Sequence, residues 1–543
     1  MHINYQHPWQ NFSKRKVAYV KVIKFYNLLM PRVSQNLNFI HSVNRPKKYW
    51  ECIVGYWLMK FIIIMYSHYI LSKKNKIKFN IENFKLENIN GYIKDCSRES
   101  FVMYQSDEWN NFILKNFFQI KKKKLFKLKS EDIKKKFDFK KIILKTFNLV
   151  TNISNNKDDE FFIINSYLGV KNEILFQKKL NNNYKFNFPI KFNFKTSINE
   201  SFRKNHITFN GKKNGFIDFI KDLIFLNMPK SFLEDFLKIN SMLKKSSWPQ
   251  SPSKVITASN HISDDVFKIW LAEKKLNNSK FISIQHGGGL FVRKFCDYNY
   301  YNHTNSDKII SWGSKNLDKK KFISLFNITQ FNRKFKIKES AKNILIPQFM
   351  PYKYVTSLAS DYIFINDLNK HIKFQNEFIK KLNDKMIKNI KIRFGTPTRY
   401  FKELLPIEKN VWKKYQVNLK YEDRTEPLKN SIENSYLTII TYVTSTTLLE
   451  CLSSDLPFLI LSKDYKQQVS KACYKDFEDL EKAGLLHQSP SKLASLINNM
   501  KKEDFLNWWK NKRRQLIVNS FKKKYAAAAK NPMYTLTKKI YNA

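Results

Sequence analysis

The chain contains little glycine, little cysteine and few acidic residues. Its 543 residues include 11 Gly, 15 Pro and 5 Cys. The cysteines are scattered and form no CxxC pair, which argues against a disulfide framework and against a cysteine-based zinc site. They lie at Cys52, Cys96, Cys296, Cys451 and Cys473.

The scarcity of acidic residues leaves a large positive charge. The chain has 98 Lys and Arg against 45 Asp and Glu, a net charge of +53. Nucleic acid or an anionic membrane surface would suit this charge. AT-rich codon usage would also produce it, since Lys, Asn, Ile, Phe and Tyr are all abundant. The lysines are spread over the whole chain, which favours codon usage, with weak attraction to anionic lipid as its consequence. No zinc-finger or RNP-type pattern is present, so we expect no nucleic-acid partner.

Long apolar segments are also scarce. The N-terminal sequence MHINYQHPWQNFSKRK lacks the apolar core of a signal peptide. The most apolar segment, residues 53–66, is too short to span a bilayer and carries Lys60 at its middle. We therefore expect it to be a buried helix in a cytoplasmic protein, and peripheral contact with the inner face of the cytoplasmic membrane stays open.

The order of strand and helix patterns predicts an α/β fold. Hydrophobic residues make up 43% of the chain, enough for sizeable cores, and the length suits two or three domains. Residues 1–75 are helical in pattern, and residues 76–250 are the least informative. After Pro252, strand and helix patterns alternate, as in βαβ units with a parallel sheet. The predicted strands are KVITAS, KFISIQ, SDKIISWGS, NILIPQF, IKIRF, SYLTIITY and LPFLIL, with helices at SDDVFKIWLAEKKL, 368–388 and STTLLECLSSD, and a long helical stretch at the C-terminus.

The sequence FISIQHGGGL, residues 281–290, is the first candidate site. Gln285 and His286 end a strand, and ligands of parallel sheets bind beyond such ends. His286 would act as a general base on an acceptor hydroxyl, or would donate a hydrogen bond to a phosphate. A tight turn with a capping histidine is the alternative. The glycines let backbone approach a ligand closely, and their number favours function: Gly287, Gly288 and Gly289.

The second candidate site is YLTIITYVTSTTLLECLSSDLPFLIL, residues 436–461. A buried strand runs into a helix through four consecutive hydroxyl residues. The N–H groups and dipole at a helix N-terminus attract phosphate, and hydroxyls add donors. Glu450, one turn further, would accept hydrogen bonds from ribose hydroxyls. The alternative is an ordinary N-cap, for which one hydroxyl suffices. The hydroxyl residues are Thr444, Ser445, Thr446 and Thr447.

The third candidate is KIRFGTPTRY, residues 391–400, in which Arg393 or Arg399 would clamp a phosphate or carboxylate. In so basic a chain, an ordinary surface arginine is an equal alternative. No GxGxxG, GxxxxGK[ST], HExxH or GxSxG element is present, which argues against dehydrogenases, P-loop NTPases, zincins and typical hydrolases.

These motifs together resemble a family of transferases encoded in bacterial O-antigen and surface-polysaccharide gene clusters, distant relatives of capsule-type and CDP-glycerol-type transferases. The similar segments occur in the same order along the chain: KKYWECIVGYWLMKFIIIMYSHYI, VITASNHISDDVFKIWLAEK, IQHGGG, SDKIISWGS, TYVTSTTLLECLSSDLPFLIL, FEDLEKAGLLHQSPSKLASLI, WW and FKKKYA. The resemblance implies a GT-B-like fold, with two Rossmann-like domains facing across a cleft, a helical N-terminal segment and a closing C-terminal helix. It implies an acceptor-side domain at 1–335, a donor-binding domain at 340–505, and a helix at 506–543 that packs back towards the N-terminal domain.

The resemblance also implies a function. A sugar would pass from a nucleotide-activated donor to a lipid-linked or polysaccharide acceptor of lipopolysaccharide. Apart from the resemblance, we expect no metal and no further cofactor, because the helix dipole and the hydroxyls can offset the charge of the leaving phosphate. His286, with Gln285, would act on the acceptor, beside the three glycines. A polyol-phosphate transferase and a non-catalytic binder of glycan or anionic lipid are the alternatives. The donor would lie against Thr444, Ser445, Thr446, Thr447, Glu450 and Arg393.

Three positions differ from the pattern of the family. Where the family has acidic residues after the glycines, this chain has DYNYYNHTN, with Asp297 as its one carboxylate, which we place in the acceptor loop. Leu290–Phe291 replaces Tyr-Gly, and Arg399 replaces an aspartate. The loss of acidic neighbours leaves His286 as the stronger candidate for the base.

Overall fold

The structure is a computed structural model. It describes residues 8–9, 11–74, 89–118, 160–180, 186–194, 196–205, 207, 215–314, 318–331, 335–395, 404–415, 419–422, 425 and 427–543. The Lys-rich segment 121–141 lies outside these residues, and so does Arg399.

The chain divides into two compact units. The first contains Met1–Ile284, Asp297–Ile309 and Tyr354–Leu358, and the second contains Gln285–Cys296, Ile310–Lys353 and Ala359–Ala543. The domain boundaries expected near 335 and 505 stay a prediction. The segment that begins at Gln285 belongs to the second unit because its glycines pack on the backbone of Thr444 and Ser445.

The first unit is mostly helical at its N-terminus. The helix α2 is apolar on every face, and nearly all of its residues from Tyr49 to Tyr69 are buried. Among the described helices it alone has the length and composition to cross a membrane, and 94% of its most apolar window is buried in the protein. The buried helix expected at 53–66 is thus confirmed. The helices of this unit are α1 (Phe12–Ile40), α2 (Lys47–Lys74), α3 (Ser97–Met103), α4 (Asp107–Phe118), α5 (Val170–Lys179), α6 (Glu200–Arg203), α7 (Gly215–Asn227), α8 (Phe236–Lys244), α9 (Asn260–Ser263), α10 (Asp265–Leu276) and α11 (Asp297–Asn305).

The first sheet has five strands in chain order, β1-β2-β3-β4-β5. The β1–β2 and β2–β3 pairs are parallel, and Val255 of β2 is in register with Phe162 and Phe281. The boundary between the units falls within β4. The strands are β1 (Phe161–Ile163), β2 (Lys254–Thr257), β3 (Lys280–Ile284), β4 (Lys308–Ser311) and β5 (Phe322–Ser324).

The second sheet lies in the second unit and has six strands. Its order is β11-β10-β9-β6-β7-β8, and every neighbouring pair is parallel. Counted within this sheet, the order is 6-5-4-1-2-3, which is the doubly wound order of dinucleotide-binding folds. The chain reverses direction across the sheet between β6 and β9. The strands are β6 (Asn343–Pro347), β7 (Ile390–Arg393), β8 (Lys420–Glu422), β9 (Ser435–Ile440), β10 (Phe458–Leu461) and β11 (Leu486–His487).

The apolar composition of β9 explains its central position. All six of its residues are buried, as expected for a parallel strand covered on both faces. The predicted α/β class with parallel sheets and a helical N-terminal segment is confirmed.

The helices of the second unit differ from the prediction in two places. The helix expected at 368–388 is two helices, because the side chain of Asn383 caps a new helix by accepting from the N–H of Met386. The C-terminal stretch forms three helices. The helices are α12 (Ile365–Ile379), α13 (Asp384–Ile387), α14 (Leu404–Lys413), α15 (Leu428–Glu433), α16 (Thr446–Ser453), α17 (Tyr465–Gln468), α18 (Tyr474–Lys482), α19 (Pro490–Asn498), α20 (Lys502–Trp509), α21 (Lys512–Tyr525) and α22 (Pro532–Tyr541).

Candidate functional site

Two of the predicted motifs meet at one place in the second unit. The loop that follows β3, residues 285–296, packs against the turn between β9 and α16. This turn lies at the carboxyl end of β9, beside the point between β6 and β9 where the strand order reverses. Ligands of doubly wound sheets bind at that point. The sequence therefore brings the QHGGG motif and the hydroxyl-rich helix N-terminus together at the position where such a sheet binds ligands.

Gln285 braces the loop. Its side chain is buried, its Nε2 donates to the carbonyl oxygen of Gly287 at 2.9 Å, and its Oε1 accepts from the N–H of Trp312 at 2.8 Å. Both ends of the amide are thus engaged by backbone. The structure assigns Gln285 a positioning role rather than the catalytic role expected for it.

The three glycines allow the loop to approach the protein itself. Gly287 has φ +81°, in the left-handed region that side chains rarely adopt. A Cβ on Gly288 would lie 2.5 Å from the carbonyl oxygen of Thr444, and a Cβ on Gly289 would overlap the guanidinium of Arg293. The close approach that we expected to a ligand is therefore made to the 444–445 backbone and to Arg293.

The hydroxyl residues after β9 mostly have partners in the protein. Ser445 is the N-cap of α16, and its side chain accepts from the N–H of Thr447 at 3.2 Å. The Thr446 hydroxyl accepts from the N–H of Gly288 at 3.3 Å, and the Thr444 hydroxyl donates to Asp361. The number of hydroxyls alone is thus no longer evidence for anion binding. The dipole and backbone N–H groups at the start of α16 still favour an anion there.

Two further polar side chains of this region are buried. Glu450 is 2% exposed and lies one turn into α16. Thr441, next to the end of β9, is 4% exposed, and its hydroxyl has no hydrogen-bond partner among the described residues. A buried hydroxyl without a partner is costly, so Thr441 is a candidate donor to a ligand at this edge of the sheet.

Arg293 and Asp361 form an ion pair that the sequence analysis missed. The Nε of Arg293 donates to Oδ1 of Asp361 at 2.7 Å, and the second carboxylate oxygen of Asp361 accepts from the Thr444 hydroxyl. The Asp361 side chain is fully buried. Burial alone would lower the pKa of Arg293, but the neighbouring charge of Asp361 raises it well above its ordinary value. The position of Arg293, four residues after the glycines, was the one feature of the sequence that could have indicated its role. Nothing in the sequence marks Asp361.

His286 is the accessible member of the loop. Its side chain is exposed to solvent, so the surrounding protein removes only part of its hydration. This loss of hydration lowers its pKa, and the charge of Arg293 lowers it further. His286 is therefore neutral at neutral pH, the protonation state that a general base requires.

Four partly exposed aromatic rings follow β6 and β9. Tyr352 and Tyr362 are stacked with centroids 4.7 Å apart and planes 4° apart, and Phe349 meets Tyr442 edge to face at 5.1 Å. The guanidinium of Arg293 lies 5.7 Å from the centre of the Tyr362 ring. We name Phe349, Tyr352, Tyr362 and Tyr442 the aromatic cluster.

Asp297 occupies a different position from the one expected. The stretch DYNYYNHTN is the helix α11, not a loop, and Asp297 begins it in the first unit. Its carboxylate is buried, receives a hydrogen bond from Lys60 at 2.6 Å and another from Ser357. Burial would raise the pKa of Asp297, but Lys60 lowers it. Asp297 is a buried ion-pair partner, which does not fit an acceptor loop.

Arg393 is also engaged within the protein. It ends β7, is buried, and donates to Glu422 of β8 and, at 2.8 Å, to Ser431 of α15. It thus links two strands and a helix, in place of the expected free phosphate clamp. Among the described residues, no group of three or more His, Cys, Asp or Glu side chains could hold a metal ion. That the reaction needs no metal stays a prediction.

A family model described as LIC12162 family transferase matches residues 4–540. The chain belongs to this family. It is therefore a transferase, which confirms the coarser part of the resemblance seen in the sequence. No curated protein matches the LIC12162 family chain significantly.

Solved structures show only distant similarity to this LIC12162 family transferase. A glycosyltransferase from Rickettsia africae is 14% identical with a TM-score of 0.36, over 72% of this chain and 98% of its own. Anabaena Alr3699/HepE, in complex with UDP and glucose, is 9% identical with a TM-score of 0.36, over 70% and 98%. The wall teichoic acid polymerase TagF is 13% identical with a TM-score of 0.30, over 56% and 84%. At these TM-scores the similarities carry no argument about function.

Proposed function

We propose that this transferase is a glycosyltransferase that moves a sugar from a nucleotide-activated donor to a lipid-linked or polysaccharide acceptor of the cell-surface O-antigen. One observation carries the proposal: the QHGGG loop packs on the N-terminus of α16 at the switch point of a parallel sheet in the doubly wound order. Both a candidate base and a candidate phosphate site thereby lie at one edge of the sheet.

The donor phosphates bind at the start of α16. The helix dipole and the N–H groups of its first turn offset the charge of the leaving nucleotide. The Arg293 guanidinium contributes positive charge beside Gly289, although its Nε is held by Asp361. The Thr441 hydroxyl donates a hydrogen bond to the nucleotide sugar. The nucleobase of the donor stacks on ring faces of the aromatic cluster. The Glu450 carboxylate accepts hydrogen bonds from the ribose hydroxyls.

His286 acts on the acceptor. Its neutral imidazole takes the proton of the acceptor hydroxyl, whose oxygen then attacks the sugar carbon. The bond from that carbon to the phosphate oxygen breaks, and the nucleotide leaves with the electron pair and the negative charge. The residues of the site perform this step without a metal, since the developing charge faces α16 and Arg293. The protein acts in the cytoplasm, in peripheral contact with the inner face of the membrane.

A thermal-shift panel of nucleotides and nucleotide sugars tests the proposal. We expect saturable stabilisation of the full chain by one of UDP, GDP or CMP, and further stabilisation by the matching nucleotide sugar. If CDP-glycerol stabilises the protein more than every nucleotide sugar does, the transferred group is a polyol phosphate and not a sugar. The absence of any response to nucleotides, together with binding of glycan, would show a non-catalytic binding protein and refute the proposal.

The catalytic assignment needs a second measurement. Once a donor is known, His286→Ala lowers the rate of transfer by about 10²- to 10⁴-fold while nucleotide stabilisation is retained. Transfer at the native rate by this variant would refute the role of His286.

A further inference from the structure

The first helix carries a second apolar line on the side that faces solvent. Its inward face packs against α2 through buried residues that include Val22, Tyr26 and Val33. On the opposite side, four apolar side chains are exposed: Val17 at 55%, Val20 at 46%, Leu28 at 46% and Phe39 at 78%. An apolar residue on the solvent side of a soluble helix is common, but four on one helix call for an explanation.

These residues are aligned along the helix. Val17, Leu28 and Phe39 are each separated by eleven residues, which is three helical turns, so they lie on nearly one line. The helix has 29 residues and is about 43 Å long. The line therefore extends over most of the helix, with Pro31 lying between Leu28 and Phe39.

Basic residues flank this line, and acidic residues are absent. Lys21 and Lys24 follow Val17 by four and seven residues, which places them on the same face, and both are exposed. Lys14, Lys16 and Arg32 are also exposed. The sequence contains no Asp or Glu before Glu51. We name the surface formed by the exposed residues Lys14, Lys16, Val17, Val20, Lys21, Lys24, Leu28, Arg32 and Phe39 the α1 face.

We propose that the α1 face docks on an anionic membrane surface, with the helix lying parallel to the bilayer. Apolar side chains along one line with lysines beside them are the pattern of interfacial helices, whose apolar groups enter the head-group region while the cations meet acidic lipid. The net positive charge of the chain attracts any polyanion. The α1 face also presents apolar side chains, which a nucleic-acid backbone does not bind. A second copy of the chain is a poor occupant because two such faces, both basic, repel each other.

This proposal goes beyond the transfer reaction and is independent of the donor site. A membrane position would place the protein where lipid-linked acceptors are found. The α1 face contains none of the residues assigned to donor or base, so nucleotide stabilisation serves as a control that the docking variants leave unchanged.

Vesicle flotation with the full chain tests the proposal. We expect the native protein to float with phosphatidylcholine vesicles that contain about 30% phosphatidylglycerol, and to bind pure phosphatidylcholine at least tenfold more weakly. Raising the salt from about 0.1 M to about 0.5 M weakens the binding without abolishing it, because the apolar contacts are not screened.

Two double variants separate the apolar and the charged contributions. Leu28→Ser with Phe39→Ser, and Lys21→Gln with Lys24→Gln, each lower the partition coefficient by about tenfold. The matched control is Leu516→Ser with Lys512→Gln on α21, where Leu516 is 66% exposed and Lys512 is exposed. This control floats as the native protein does, and all variants keep the native melting temperature because every substituted residue is exposed.

Three results would overturn the proposal. The native protein fails to float with anionic vesicles, or the Leu28/Phe39 variant floats as well as the native protein, or the control loses as much binding as the α1 variants. Tight binding of RNA that depends on Lys21 and Lys24, with no binding of vesicles, would assign the face to nucleic acid and would also refute the membrane proposal.

Discussion

The Nε of Arg293 donates a hydrogen bond to Oδ1 of Asp361 at 2.7 Å, and the second oxygen of the same carboxylate accepts from Thr444. One buried carboxylate thereby joins the loop after the glycines to the turn before α16. This link holds the candidate base and the candidate phosphate site in one arrangement.

Replacing the carboxylate tests this link. Asp361→Asn leaves the Arg293 charge without its counter-ion, and we expect the free energy of unfolding to fall by about 3 kcal/mol. The matched control is Asp455→Asn, which removes the ion pair between Asp455 and Lys522. The Asp455 side chain is 65% exposed. An exposed pair contributes less than about 1 kcal/mol. Chemical denaturation measures both variants, and equal losses would contradict the structural role of Asp361.

The close approach at Gly288 gives the second prediction. Gly288→Ala places a Cβ against the carbonyl oxygens of Thr444 and Ser445, so the loop must shift away from α16. We expect a loss of about 1 to 3 kcal/mol in stability and weaker nucleotide stabilisation. Gly91→Ala is the control, since no atom lies within 4 Å of its Cβ. If both variants melt together with the native protein, the loop does not pack on the turn as described.

The cap of α16 gives the third prediction. Ser445→Ala removes the acceptor for the N–H of Thr447, which lowers stability by about 1 kcal/mol and weakens nucleotide binding about fivefold, because the first turn frays. Asn511→Ala removes the corresponding cap of α21, where the Asn511 side chain accepts from the N–H of Arg514. That variant should lose a similar amount of stability and no affinity. Titration calorimetry with the nucleotide found in the panel compares them, and an equal loss of affinity would exclude α16 as the phosphate site.

The pKa of His286 gives the fourth prediction. Lost hydration and Arg293 hold it below the ordinary value of 6.5. A base acts only when deprotonated, so the rate of transfer declines as the pH falls through the lowered pKa, and the midpoint of this decline lies below pH 6.5. A pH profile of kcat/KM measures this limb. His303→Ala, which alters an exposed histidine of α11, leaves the profile unchanged. An acidic limb centred at or above pH 6.5 would contradict the assignment.

The buried strands were readable from the sequence because their composition is sufficient to identify them. The apolar segments SYLTIITY and LPFLIL became β9 and β10, since parallel strands covered on both faces are continuously apolar. The strands β1, β5 and β8, with 3 residues each, and β11, with 2 residues, were missed because they are so short. Strands so short carry no periodicity.

The sequence was sufficient to identify the two motifs, but not the residues that contact them in the fold. QHGGG and the α16 N-terminus were identified from their glycines and hydroxyls, and the structure brings them together. Asp361 lies 68 residues from Arg293 and 83 from Thr444, so spacing gave no sign of it. Asp297 and Arg393 were selected by residue type, yet tertiary contacts use both in buried ion pairs, which no local pattern reveals.

The central claim is that a nucleotide binds at the switch point of the second sheet, between the QHGGG loop and α16. Hydrogen–deuterium exchange of the full chain, with and without a saturating nucleotide from the panel, tests it most directly. The account predicts slower exchange in residues 286–293 and 441–450, with no change in the buried helix 47–74. Protection confined to other segments, with exchange in 286–293 and 441–450 unaltered, would contradict it.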